Sequence, residues 1–124
     1  KATMRIGTDI VEVTRINRAI DNGKIDFLSR VYTGKEKKDN LYDLNVERAA
    51  GFWAAKDAAV KALGCGYRKG ITFHDIEVTH DDDGCPHFIF SERIKGMLAE
   101  KGLVNNSLTI SHCQTHAIAI FILY

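Results

Sequence analysis

Proline is almost absent: Pro86 stands alone in 124 residues, which excludes a polyproline rod or a proline-rich linker. Long apolar runs are absent too. The longest, residues 117–124, falls far short of the roughly 20 residues a membrane-spanning helix requires, so no membrane insertion is expected. Neither sign of charge prevails, since 17 Lys and Arg against 16 Asp and Glu leave a formal charge of +1. Binding along a nucleic-acid backbone needs a clear basic excess, so nucleic acid is not an expected partner. Any acidic partner must therefore meet a local basic patch. Cysteine is scarce: Cys65, Cys85 and Cys113 are odd in number and spaced for neither a disulfide framework nor a zinc site. Three reduced thiols, with no signal-peptide core near the N-terminus, make a cytoplasmic protein the expectation.

Against these absences, 45% of the residues are apolar and 27% charged, enough for a core and near the average for a globular chain. Residues 1–124 are expected to form one domain. A strand is predicted over 4–10, turning at Gly7. Val13, Ile16 and Ile20 have helical spacing over 12–20, with Arg15 and Arg18 on the other side. Residues 26–32 read as a short helix or turn, and Thr33 with Glu36 has the spacing of a capping box. The strongest helix covers 46–63, rich in alanine and closed by Gly64. Residues 71–79 alternate as a strand with a shift at Asp75 that suggests a bulge, and 87–90 return after the turn 81–84. A helix over 91–101, capped by Ser91, precedes strands at 108–111 and 116–123. This order predicts an α+β fold, a mainly antiparallel sheet packed on one long helix.

Several residues carry potential chemistry, each with a plainer reading beside it. Asp9 follows a strand; it is either a turn residue bonded to backbone amides or a ligand for a hard cation. Lys56 and Asp57 interrupt an apolar helix. Asp57 and Lys61 are four apart, the spacing of a surface ion pair, yet a carboxylate in so apolar a helix must be paired or bound to a cation. Residues 64–70 form a glycine-rich loop with Arg68 and Lys69, either a helix stop or a cradle for a phosphate-bearing ligand. The loop is not a nucleotide-hydrolase phosphate loop, because it follows a helix and lacks the lysine–hydroxyl spacing. Ser111 and His112 end a strand without the nucleophile elbow of a serine hydrolase. Residues 81–84 lack the alternating ligands of a calcium loop. Together these groups suit metal-assisted phosphate chemistry.

The run Ile6-Gly7-Thr8-Asp9-Ile10-Val11-Glu12-Val13 resembles the opening of holo-acyl-carrier-protein synthases, of the 4'-phosphopantetheinyl transferase superfamily. Ala50-Gly51, Ala54-Ala55-Lys56-Asp57-Ala58 and Lys61-Ala62-Leu63-Gly64 resemble the family's long helix. Asp75-Ile76-Glu77-Val78 with Asp83-Gly84-Cys85-Pro86 is similar to its central hairpin, and Thr109-Ile110-Ser111-His112 with Ala117 and Ala119 to its closing motif. Four motifs in the family's order cover nearly the whole chain.

The resemblance implies transfer of 4'-phosphopantetheine from coenzyme A to a serine of an apo acyl carrier protein, releasing adenosine 3',5'-bisphosphate. It implies that Asp9 and Asp57 ligate Mg²⁺, that Asp9, Lys61 and His112 are catalytic, and that Lys56, Lys61, Gly64, Gly66 and His112 contact coenzyme A. It further implies a homotrimer with sites between subunits, and a carrier-protein docking patch of Arg15 and Arg18, with Lys24 beside them. Two positions depart from the pattern: Asp57 stands where the family usually has Glu, and Phe52 where it usually has Arg. A non-catalytic module for coenzyme A or carrier protein, and a hydrolase of nucleotide pyrophosphates, are the rival readings.

Overall fold

The computed structural model describes residues 3–40, 45–64, 66–67 and 70–124, apart from the side chains of Lys24 and Asn40. The elements run β1 (Arg5–Glu12), α1 (Val13–Val31), α2 (Gly34–Asn40), α3 (Val46–Leu63), a 3₁₀ turn (Phe73–Asp75), β2 (Ile76–His80), β3 (Pro86–Phe90), α4 (Glu92–Glu100), β4 (Asn106–His112) and β5 (His116–Leu123). Three strands form an antiparallel sheet in the order β1-β5-β4, and β2 pairs with β3 in a separate hairpin. The expected α+β architecture, antiparallel strands against one long helix, is present.

Helix α3 is the centre of the molecule. Ala49, Ala50, Ala54, Ala55, Ala58, Ala59 and Ala62 are all buried, so small side chains let neighbouring elements come close on several sides. A β-carbon at Gly7 would overlap the Ala58 carbonyl oxygen, so Gly7 serves close contact between β1 and α3. The strand does not turn there. It continues to Glu12, because the register with β5 runs unbroken from Arg5↔Leu123 to Glu12↔His116.

Strand parity then sorts the sheet. On β5, Ala117, Ala119, Phe121 and Leu123 are buried while Ile118 and Ile120 are exposed. On β1, Gly7 and Val11 lie on the helix side, so Asp9 lies there too. Ile6 and Ile10, 61% and 64% exposed, lie on the open side.

Two further expectations change. Residues 12–20 and 26–32 belong to one helix, α1, because Val13, Ile16, Ile20, Phe27 and Val31 keep one buried face across Asn22 and Gly23. The shift at Asp75 is a 3₁₀ turn capped by Thr72, whose backbone N–H donates to Asp75 Oδ2 at 2.8 Å, and not a bulge. The capping box of Thr33 and Glu36 forms, with Thr33 N to Glu36 Oε1 at 2.8 Å and Glu36 N to Thr33 Oγ1 at 3.2 Å. Cys65, Arg68 and Lys69 lie outside the described residues.

Candidate active site

Asp9, Asp57 and Lys61 come together where β1 crosses α3. Asp57 and Lys61 are one helical turn apart, and parity turns Asp9 toward them. The Lys61 ammonium donates to Asp9 Oδ1 at 3.1 Å and to the Thr8 carbonyl at 3.0 Å, and lies 3.9 Å from Asp57 Oδ2. Lys61 is half exposed whereas the Asp9 side chain is only 12% exposed. Burial pushes the Asp9 carboxyl up to about 6; the Lys61 hydrogen bond opposes the rise and the neighbouring Asp57 carboxylate adds to it.

Asp9 Oδ2 is buried with no hydrogen-bond partner. A carboxylate oxygen so placed needs a donor or a cation. Two carboxylates, one with an open inward oxygen, fit a single hard cation that completes its shell with water and ligand oxygens. Among the described residues no three His, Cys, Asp or Glu side chains group to hold a metal by themselves. A cation at Asp9 and Asp57 would draw its other ligands from groups beyond these carboxylates, such as water or phosphate oxygens.

Positive charge continues past Lys61. Gly64 ends α3 in the left-handed region, φ 83°, and Gly66 follows at φ 61°. A shallow cavity of about 390 Å³ beside this turn is lined by Arg5, Ile6, Lys61, Ala62 and Gly64. Arg5 was not singled out from the sequence, because its place at this helix end depends on the β1–α3 crossing.

The structure does not bring Lys56 to this site. Its ammonium is fully buried and donates to the Val31 carbonyl at 2.8 Å, Glu36 Oε1 at 2.8 Å and the Phe73 carbonyl at 3.0 Å. Three protein acceptors use all three N–H donors, so within this chain the ammonium is fully engaged. Burial lowers the Lys56 pKa while Glu36 works against the fall. Glu36 itself accepts from Thr33 N and Val78 N, so the pair ties α2, α3 and β2 together.

His112 bonds toward the other end of α3. It sits at the end of β4 and its Nδ1 is 3.1 Å from Glu47 Oε1, in the first turn of α3. Fourteen residues of helix separate Glu47 from Lys61, about 21 Å of rise. His112 instead borders a pocket of about 120 Å³ with Arg48, Phe52, His80 and Pro86. Arg15 lies over the Trp53 ring, 6.0 Å from its centre, beside a groove of about 350 Å³ bordered also by Ala19, Phe27 and Arg30. Arg18 is exposed on α1 away from that groove, and the Lys24 side chain is outside the described residues.

Tyr67 was missed as well. Burial, with the charges of Asp57 and Asp9 nearby, raises the pKa of its hydroxyl. No spacing rule pairs a loop residue with a helix residue ten positions earlier.

The sequence model of the 4'-phosphopantetheinyl transferase superfamily matches residues 5–120. The chain belongs to that superfamily. It is 42% identical over 118 residues to a holo-[acyl-carrier-protein] synthase of Verminephrobacter eiseniae, covering 94% of this chain and 89% of the relative. The fold is similar to that of a holo-[acyl-carrier-protein] synthase from Neisseria meningitidis, with TM-score 0.89, 31% identity and 97% of each chain covered. It is similar also to the Helicobacter pylori synthase in complex with coenzyme A, with TM-score 0.84 and 30% identity over 96% of this chain and 99% of that one. Within this phosphopantetheinyl transferase chain, the Asp9–Asp57–Lys61 cluster is the group best equipped for phosphate chemistry.

Proposed function

We propose that this chain is a holo-[acyl-carrier-protein] synthase, transferring the 4'-phosphopantetheine arm of coenzyme A to a serine hydroxyl of an apo acyl carrier protein and releasing adenosine 3',5'-bisphosphate. Two carboxylates and an ammonium at the β1–α3 crossing, in a chain of this superfamily, carry the reading. In it, residues 1–124 act as one domain, located in the cytoplasm and serving fatty acid biosynthesis. The free thiols of Cys85 and Cys113 accord with that location.

Asp9 and Asp57 hold Mg²⁺ in this reading, and the open Asp9 Oδ2 supports the assignment. The chemistry supplied by a bound Mg²⁺ is polarisation of the phosphoryl oxygens and neutralisation of charge on the leaving nucleotide. Lys61 adds a mobile positive charge for the pyrophosphate. The serine oxygen bonds to the phosphorus that carries the pantetheine arm, the bond from that phosphorus to the bisphosphate oxygen breaks, and Asp9 takes the serine proton. Arg15, with Arg18 beside it on α1, meets the acidic carrier protein.

A homotrimer belongs to the same reading. The open sheet face presents Ile6, Ile10, Ile118 and Ile120 to solvent, an apolar surface suited to another copy. Assembly would also let the His112 end of one copy approach the Asp9 site of another. The reaction is tested by release of adenosine 3',5'-bisphosphate in step with carrier-protein conversion. Release without carrier protein would mark a pyrophosphate hydrolase instead.

A further inference from the structure

We infer that Lys56 is a positioning residue for carrier-protein recognition: its buried ammonium sets helix α1, which carries Arg15 and Arg18, against α3. The inference rests on the reading of α1 as the surface that meets the acidic carrier protein. A lysine with no exposed side chain, in a helix rich in alanine, is costly to bury and needs every donor engaged. Its acceptors come from three separate segments: the Val31 carbonyl at the last residue of α1, Glu36 Oε1 in α2 and the Phe73 carbonyl in the 3₁₀ turn, at 2.8, 2.8 and 3.0 Å. An apolar side chain at 56 would fill the volume yet hold none of the three by direction.

The Val31 carbonyl is one of those left without an intrahelical partner at a helix end, and it lies at the negative end of the helix dipole. A cation there is favoured on both counts. A second link is on the surface, where His74 Nε2 donates to the Ser29 carbonyl at 2.6 Å and bonds the 3₁₀ turn to the last turn of α1. Tyr32, the residue after α1, donates its hydroxyl to the Ala49 carbonyl at 2.7 Å. Ala49 stands seven residues before Lys56, about 10 Å along α3. One link alone is a pivot; two links so far apart fix the angle between α1 and α3. That angle decides what faces the partner. Trp53, three residues before Lys56, stacks on Phe27 of α1 at 6.0 Å, packs on Phe73 at 5.3 Å and lies under the Arg15 guanidinium at 6.0 Å. The placement of Arg15 and the shape of the groove beside it therefore follow from where Lys56 holds Val31 and Phe73. Fully buried, Lys56 touches no partner itself.

Lys56→Met combined with Glu36→Gln removes the ion pair without leaving a lone buried charge. Initial rates, with carrier protein and coenzyme A varied in turn well below the thermal midpoint, are expected to give a carrier-protein KM raised about tenfold at an unchanged coenzyme A KM. Trp53 is the chain's one tryptophan, so its quenching by acrylamide reads the same displacement without any reaction, and stronger quenching than in the parent is expected. His74→Ala, which cuts only the exposed link, should raise the carrier-protein KM by about threefold. An unchanged carrier-protein KM in the double variant, or in His74→Ala where the double variant does not fold, overturns the role of Lys56. An equal rise in the coenzyme A KM overturns it as well, because the loss is then not confined to docking. An Arg15→Ala chain that keeps the parent's carrier-protein KM overturns the docking reading, and this inference with it, while the transfer reaction stands.

Discussion

Asp9 shows what a largely buried carboxylate costs the fold. Its carboxyl titrates at about 6 in the folded chain against 3.8 in the unfolded one, principally through burial. Between those values the folded state holds more protons, so stability falls as pH rises through that window. Asp9→Asn removes the term. The variant is expected to lose transfer and yet gain up to about 3 kcal/mol at pH 7 in metal-free buffer, with a flatter profile between pH 4 and 6. Urea unfolding across that range checks this; a variant less stable than the parent at pH 7 would show that burial of Asp9 is not the dominant cost. Asp9 and Lys61 stood out by motif and chain position, and the fold brings their side chains to 3.1 Å. Tyr67 did not, because the influence of the Asp57 charge on it arises only in the fold.

The elements themselves were read unevenly, for reasons that lie in particular residues. Helix α3 declared itself through its alanines and Gly64, since both signals are local. Helix α1 was divided because Asn22-Gly23 looks like a break, whereas the tertiary burial of Phe27 and Val31 carries the helix through. The Thr33–Glu36 capping box was legible, but the larger task of Glu36 was hidden: its ion-pair partner Lys56 is 20 residues away. Lys56 accordingly reads as a ligand residue in sequence and as a structural one in the fold. Lys56→Met leaves the Glu36 carboxylate buried without its cation, and a loss of about 3–5 kcal/mol is expected in denaturant unfolding. Pairing it with Glu36→Gln should restore part of that loss. A Lys56→Met variant as stable as the parent but weaker in binding coenzyme A would return Lys56 to the ligand set.

On the scale of the whole molecule, two features of one chain point beyond it. The sheet buries one face on α3 and leaves isoleucines on the other, and the His112 pocket lies at the far end of α3 from Asp9. Light scattering is expected to give the mass of three chains for the parent and of one for Ile120→Glu, with lowered transfer. A single-chain mass for the parent would remove the trimer from the account. Neither feature was readable from periodicity, because an exposed apolar face and a buried one alternate identically along a strand.

The transfer reaction is read from the intact mass of an apo carrier protein incubated with this chain, coenzyme A and Mg²⁺. A gain of one phosphopantetheine arm, abolished by EDTA, is expected. No gain across several carrier proteins would contradict it and favour a module that binds coenzyme A without transferring its arm.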